Sequence, residues 1–255
     1  MTGIADHAIR AILLVPLGAA LLLAALPGYR LTARLNVLAT MLTFAAALAL
    51  LLGGRPSPGA YLLVDDLNIV FIVLGTLVGF TTSIFSASYI QHELDTGKLT
   101  PGYLRFYHAM YQALMFGMNL ALLANNIGLM WVAIELATLT TVVMVGIYRT
   151  REALEAAWKY FILGSVGIAL ALFGTILVYM AALPVMGQGH DAMVWSVLIR
   201  HAAAFDPSLL NLAFIFLLLG YGTKVGLAPL HAWLPDAHAE GPTPISAVLS
   251  GLLLN

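Results

Sequence analysis

The sequence contains no cysteine, and only 9% of its residues are charged. Without cysteine the chain can form no disulfide and offers no thiolate to a zinc or iron–sulfur site. Its seven histidines are scattered and never take the HxxxH or HExxH spacing of a metal site, and no GxGxxG or phosphate-binding loop occurs. The formal net charge is −1 and no basic cluster is present, so nucleic acid is not an expected partner. We therefore expect no metal, no cofactor and no catalytic residue in this chain.

What the sequence has in abundance is hydrophobic residues, at 61% with a mean hydropathy of +0.95. Soluble domains are typically about 25% charged, so this composition indicates a protein of the lipid bilayer. About 20 apolar residues span the hydrocarbon core as a helix. Seven segments approach or exceed that length, near residues 9–26, 35–52, 67–89, 107–123, 127–148, 156–183 and 209–230. The expected fold is all-α, a polytopic transmembrane helix bundle with about seven full spans and a truncated eighth that begins near Ile245.

The short loops carry an uneven distribution of positive charge. Lysine and arginine favour the cytoplasmic side of a membrane. The loops after the first, third and fifth segments hold six such residues, Arg30, Arg34, Lys98, Arg105, Arg149 and Arg151, whereas the opposite side holds Arg10, Arg55 and Arg200. This bias predicts that the N-terminus lies on the non-cytoplasmic side, and no convincing cleavable signal precedes the first segment.

One acid and two of the three lysines lie inside predicted spans, where a charge costs at least about 2.5–3.5 kcal/mol at the bilayer centre. Glu135 and Lys224 lie deep in the fifth and seventh spans, and Lys159 lies near the start of the sixth. A structural Glu–Lys pair that locks two helices together is one interpretation, and an ion path is the other. Lys159 could instead extend to the membrane interface, but Gly164 and Gly167 further along its helix allow close helix packing, so we expect it to be buried.

Prolines interrupt the seventh span directly after its lysine. Pro229 cannot donate a backbone hydrogen bond, so it predicts a broken seventh helix between Lys224 and Trp233. His231 follows within this segment and could pass protons onward from the lysine, because histidine titrates near neutrality. His238 is interpreted as a loop histidine, and His92 and His108 as residues of the membrane interface.

Three stretches of the sequence resemble a known family when taken together. These are WVAIELATL, EAAWKYFIL and the long KVGLAPLHAWLPDAHAEGPTPISAVLSG, in that order. They resemble the proton-conducting antiporter-like subunits of respiratory complex I, membrane-bound hydrogenases and Mrp-type sodium/proton antiporters. The likeness runs from about Leu67 to the end of the chain. FSASYIQHEL and LEAAWKYFILGSVGIAL look closest to component F of hydrogenase-4 and to the membrane subunits of formate hydrogenlyase.

The resemblance implies roles for individual residues. Glu135 corresponds to the essential glutamate of the family's fifth helix, and Lys224 to the lysine of its broken seventh helix. Lys159 corresponds to a connecting lysine on the sixth helix, and His231 to a histidine after the break. Ser250 replaces a histidine that some relatives carry, so the relay beyond this point departs from theirs. Family members usually have about fourteen spans, so we expect a partial subunit.

The resemblance also implies an organisation and a function. Residues 1–106 would form three N-terminal spans, and residues 107–255 the first antiporter-like repeat, incomplete at its C-terminus. The expected protein is a proton-translocating subunit of a cell inner membrane, driven by redox partners through a buried Glu–Lys pair. A structural membrane anchor and a Na⁺/H⁺ antiporter component remain alternatives. For a switch we expect the two charges to face each other roughly 5–8 Å apart, with Thr138 or Thr223 between them.

Overall fold

The computed structural model describes residues 2–100, 104 and 106–253, and these residues are almost entirely helical. Short 3₁₀ turns (Gly146–Tyr148, His190–Met193, Ala202–Ala204) and a terminal π-helix (Leu249–Leu253) accompany the α-helices. The α-helices are α1 (Thr2–Ala25), α2 (Tyr29–Leu52), α3 (Asp66–Asp95), α4 (Tyr107–Leu123), α5 (Ile127–Val145), α6 (Arg151–Met186), α7 (Trp195–His201), α8 (Pro207–Lys224), α9 (Leu234–Glu240) and α10 (Thr243–Val248).

The predicted fold class is confirmed as an all-helical, multi-pass membrane bundle. Six of the described helices are long and apolar enough to cross a bilayer, namely α1, α2, α3, α5, α6 and α8. Helix α4 has the predicted bounds but is only 17 residues long, about 26 Å at the usual rise per residue. The expected eighth segment forms a short apolar helix, Thr243–Leu252. The number of spans therefore stays a prediction.

The helices pack mainly against their neighbours in sequence, and one close contact positions the candidate site. Helices α1, α2 and α3 pack in succession, and α4 lies against both α1 and α5. Helices α6 and α8 pack most closely, because Gly167 and Gly220 face each other there. A Cβ on Gly220 would collide with the backbone of Gly167 and Ala171, so only glycine permits this approach.

The seventh predicted span is interrupted between Lys224 and Trp233, as expected. Helix α8 ends at Lys224, and the next helix begins at Leu234. Its end is a Schellman motif: the Leu227 N–H donates to Gly222 O at 2.8 Å, and the N–H of Gly226 donates to Thr223 O. Gly226 takes a positive φ of 73°, which suits glycine. The helix thus ends at a glycine cap, ahead of Pro229, and Pro229 lies within the break without starting it.

Candidate functional site

The side chain of Lys224 is buried inside the bundle at the last residue of α8. Its Nζ donates a hydrogen bond of 2.9 Å to the hydroxyl of Tyr160, on α6. The same ammonium lies 5.0 Å from the centre of the Tyr160 ring, so the aromatic face also contributes to its surroundings. A charge in this position is tolerated only where polar groups replace water, and Tyr160 supplies one such group.

Tyr160 connects Lys224 to helix α5 through a short chain of hydrogen bonds. Its hydroxyl lies 2.7 Å from Oγ1 of Thr141, and the Thr141 hydroxyl lies 2.8 Å from the Ala137 carbonyl oxygen. A lysine ammonium can only donate, so Tyr160 accepts from Lys224, donates to Thr141, and leaves the threonine to donate to its own helix. Three helices, α5, α6 and α8, are therefore joined at this lysine.

Glu135 reaches the same region from α5. It makes no ion pair with Lys224 among the described residues, although the two charges interact electrostatically. Its Oε2 is buried and has no hydrogen-bond partner in the described part of the chain. The Glu135 carboxylate also acts on the hydroxyl of Tyr160. Glu135 and Lys224 are therefore opposite charges that interact without forming an ion pair.

The two threonines expected to bridge the pair do not do so. The Thr138 hydroxyl donates to Ile134 O at 2.9 Å, and that of Thr223 donates to Leu219 O at 2.7 Å, each within its own helix. That expectation was wrong because a threonine in a helix can satisfy its hydroxyl on the carbonyl one turn earlier. Tyr160 instead contacts Lys224 directly, since its longer side chain reaches the ammonium from a third helix.

The interrupted segment folds back over the site through Trp233. This indole is fully buried, and its Nε1 donates to the Thr223 carbonyl at 2.8 Å. Its ring stacks on Tyr160, with 4.4 Å between centroids and 16° between planes. Trp233 thus satisfies a carbonyl at the end of α8 and fixes the ring whose hydroxyl holds Lys224.

A cavity of about 260 Å³ adjoins the buried lysine. Tyr221 lines it from α8, and its hydroxyl is buried without a hydrogen-bond partner among the described residues. The other lining residues are mostly apolar and come from α4, α5 and the end of α8: Met118, Ala121, Leu122, Met130, Ile134, Ala137 and Val225. The volume exceeds the roughly 30 Å³ that a water molecule occupies in the liquid, so the ammonium has room for hydration.

The prediction that Lys159 is buried between helices was wrong. Its side chain is 48% exposed and forms ion pairs with Glu155 at 2.9 Å and with Asp236 at 2.8 Å. At about 100° per residue, Tyr160 lies within roughly 40° of both Gly164 and Gly167 around α6, whereas Lys159 lies roughly 80–140° away. The small residues therefore turn Tyr160 inward, and Lys159 faces out beside α9.

The two histidines near the break lie outside the hydrogen-bond network of Lys224. His231 is exposed, and its side chain makes no hydrogen bond within the described ranges, so it is not joined to Lys224. His238, interpreted as a simple loop residue, is half-buried in α9, and its Nδ1 is hydrogen-bonded to the Ser246 hydroxyl. Burial lowers the pKa of His238 below its ordinary value of 6.5. The hydrogen bond between His238 and Ser246 joins α9 to α10 after the interruption.

Glu135 and Lys224 interact electrostatically, and the surroundings of Lys224 include three residues that sequence reasoning missed. Tyr160, Thr141 and Trp233 carry no charge, and an aromatic or hydroxyl residue in an apolar run gives no individual signal. Position on the small-residue face of α6 could have identified Tyr160. Across residues 2–100, 104 and 106–253, no group of three His, Asp or Glu side chains is placed to hold a metal ion.

Comparison with protein families places this geometry in a known group. Residues 124–255 match the family model described as NADH:quinone oxidoreductase/Mrp antiporter, TM. The matched region contains α5, α6 and the interrupted α8, and hence Glu135, Tyr160 and Lys224. The chain belongs to this family.

Relatives of this antiporter-family chain include subunits of more than one kind of complex. The Hydrogenase-4 component F homolog of Methylacidiphilum infernorum is 64% identical over 245 residues, covering 96% of this chain and 51% of that protein. NADH-quinone oxidoreductase subunit N of Halorhodospira halophila is 34% identical over 171 residues, covering 66% of the chain and 33% of the relative. The antiporter-family chain thus spans about half the length, or less, of these relatives.

Solved structures agree with the family assignment. A chain of the archaeal membrane-bound sulfane sulfur reductase superposes with a TM-score of 0.83 at 22% identity, over 97% of this chain and 50% of that one. A chain of respiratory complex I from Thermus thermophilus superposes with a TM-score of 0.71 at 28% identity, over 96% of this chain and 52% of that one. The first likeness concerns the fold alone.

Proposed function

We propose that this chain is a proton-translocating membrane subunit of a redox-driven complex, in which Glu135 and Lys224 form the proton switch. The observation that carries the proposal is the environment of Lys224. Its buried ammonium sits where a membrane helix stops, is held by Tyr160, and interacts with Glu135 without an ion pair.

The release of a proton from Lys224 depends on how firmly its ammonium is held. An unpaired charge in apolar surroundings costs several kcal/mol, and a tight buried ion pair recovers much of that cost only with good geometry. A lysine locked in such a pair would retain its proton. A carboxylate close enough to interact, but not bonded, lets the charge on Lys224 change when Glu135 moves or is neutralised.

Tyr160 gives Lys224 a partner in both of its protonation states. The ammonium donates to the tyrosine oxygen, while the neutral amine can accept from the tyrosine hydroxyl. We propose that the released proton leaves through the interrupted helix and the adjoining cavity, which is large enough to hold water. Lys224 would then reload when Glu135 again presents its negative charge.

The free energy for this cycle would come from partner subunits. The relatives are named as a hydrogenase-4 component homolog and an NADH-quinone oxidoreductase subunit. By analogy we propose a hydrogenase-type or complex I-like assembly of the cell inner membrane, with further membrane and peripheral subunits as partners. The N-terminus would lie on the non-cytoplasmic side, as the loop charges predict.

Lys159 and His231 take a later place in the proposed path. Both are exposed on the part of the chain described, beside the interruption rather than within the Lys224 site. The relatives are about twice as long as this chain, so a second half can cover this face. We propose that Lys159 and His231 exchange protons with that half, and that the Lys159–Asp236 pair is the contact that changes.

The test compares Glu135→Gln and Lys224→Ala in the complete subunit, by proton uptake into inside-out vesicles during redox turnover. Both variants should lose uptake while the complex remains inserted and assembled. Glu152→Gln is the matched control, since it makes the same chemical change at an exposed residue in the first turn of α6. Full uptake in either site variant would refute the proton switch and would favour a structural anchor as the role of this chain. Strictly sodium-dependent uptake would favour an antiporter component instead.

A further inference from the structure

A second buried polar region lies between α2, α3 and α4, on the side of α4 away from Glu135. We call it the polar seam, and define it as Asn36 and Thr40 of α2, Ser83 and Ser86 of α3, and Tyr107, His108, Gln112 and Asn119 of α4. Every one of these residues is at least 98% buried. The spacing of His108, Gln112 and Asn119 is four and seven residues, which places them on one face of α4.

Part of the seam is bonded internally. Gln112 Nε2 donates to Asn36 Oδ1 at 2.8 Å, and the hydroxyls of Thr40 and Ser83 are also 2.8 Å apart. These bonds cross between helices, so the polar side chains of the seam face one another and not lipid. The remaining members extend this polar face in both directions along α4.

Other polar atoms of the seam have no hydrogen-bond partner among the described residues. They are Asn36 Nδ2, both ring nitrogens of His108, Gln112 Oε1 and Asn119 Nδ2. A buried donor or acceptor without a partner destabilises the fold, and such groups are normally satisfied by protein or by ordered water. Several in one seam, with donors and acceptors mixed, make a site that suits water molecules.

His108 is the titratable member, and its position differs from expectation. It was expected at the membrane interface, yet it is 2% exposed. Its ring contacts Tyr29 of α2, at 5.2 Å between centroids, and Tyr107 of its own helix, at 5.1 Å. From α3, the Ser86 hydroxyl bonds that of Tyr107. Within the part of the chain that is described, no carboxylate or ammonium pairs with His108.

Tyr29, which contacts the seam at His108, also borders a surface depression at one end of the seam, whereas the other end of the seam is apolar. Tyr29 and Ala33 line an open depression of about 380 Å³ between the start of α2 and the end of α3. Its rim carries Arg30, Arg34, His92 and Asp95. In the other direction the polar residues give way to an apolar cluster from α1 to α4 that includes Ile12, Ala47, Leu50, Ile72 and Leu123.

We propose that the polar seam is a water-filled half-channel that admits protons past Tyr29 to His108 and ends at the apolar cluster. Tyr29 separates the depression from the histidine, and its hydroxyl is held by the carbonyls of Ser86 and Ala87 at 3.3 and 3.2 Å. These are long hydrogen bonds, so Tyr29 can act as the gate. This site is independent of Lys224, because the seam faces α2 and α3 while the Lys224 site faces α6 and α8.

The first test begins with the unsubstituted protein. Exchange of the histidine C2 hydrogen in D₂O, followed residue by residue by mass spectrometry, reports both water access and titration. In the complete subunit in its membrane, His108 should exchange within about 10-fold of the rate of exposed His92, with a sigmoidal pH dependence. Tyr29→Ala should raise the His108 rate further. A His108 that does not exchange at any pH would overturn the proposal, and an unchanged rate in Tyr29→Ala would overturn the proposed access route.

The second test uses the absence of native cysteine. Thr40→Cys places a thiol in the seam, and Ala47→Cys places one on the same helix, equally buried, in the apolar cluster. Silver ion is small enough to follow water and blocks thiols against later labelling. Since the thiolate is the reactive form and needs water, Thr40→Cys should be blocked at least about 10-fold faster than Ala47→Cys. Equal blocking rates at the two positions would mean that the seam holds no water, and would refute the proposed half-channel.

Discussion

Replacing Tyr160 by phenylalanine tests the site most directly. The change removes one oxygen, which accepts from Lys224 Nζ at 2.9 Å and contacts Thr141 at 2.7 Å, and leaves the ring stacked on Trp233. A hydrogen bond to a charged group contributes about 1.5–3 kcal/mol, and each 1.4 kcal/mol is a factor of ten. Every transported proton occupies Lys224 under the proposal. Redox-driven uptake should therefore fall by roughly 10- to 100-fold.

The assay is proton uptake into inside-out vesicles, with the redox rate of the complex measured on the same preparation. Tyr111→Phe is the matched control, because its hydroxyl is equally buried and donates to the neutral carbonyl of Gly79 at 2.7 Å. This control should keep uptake within about twofold of the parent, since its hydrogen bond involves no charge. Uptake in Tyr160→Phe equal to that of the control would refute the reasoning that this hydroxyl serves Lys224.

Other predictions concern the helix break, the close helix pair and the segment after the break. Gly226→Ala should lower the unfolding free energy by about 1 kcal/mol, because its φ of 73° suits glycine, whereas Gly54→Ala should be neutral in a thermal-unfolding assay. Gly220→Ala should lower the free energy of unfolding by about 1–3 kcal/mol, because its Cβ would push α6 away from α8. Gly18→Ala is the control and should not lower stability, because its Cβ would meet open space. The lowered pKa of His238 means that the unfolded chain binds its proton more readily, so stability should fall as pH drops through 6.5. His238→Gln should remove that dependence in unfolding curves recorded across pH, and a parent protein with no slope there would contradict the argument.

The membrane fold could be predicted from local properties of the sequence. Long apolar runs separated by polar turns indicate transmembrane helices, because backbone groups in lipid must bond within their own segment. Glu135 and Lys224 were identifiable for the same reason, since a charge in an apolar run is costly enough to require a function or a partner. The end of α8 was also encoded locally, in Gly226, although Pro229 is the more conspicuous signal.

The identity of the partners depended on tertiary packing. Lys159 and Tyr160 are adjacent in sequence, but the close approach of α6 and α8 at Gly167 and Gly220 turns Tyr160 inward and leaves Lys159 exposed. A neutral tyrosine in an apolar run has no large burial cost, so the sequence does not single it out. Its role becomes visible only where three helices meet in the structure.

The polar seam shows the same division between sequence and structure. Each of its residues is ordinary by itself, and the position of His108 beside the third loop predicts a residue of the membrane interface. Sequence by itself determined that this chain is a helical membrane protein with a costly acid and a costly lysine in its spans. Only the tertiary structure decided which neutral hydroxyls, rings and amides surround those charges, because such groups gain their energetic weight from burial against one another.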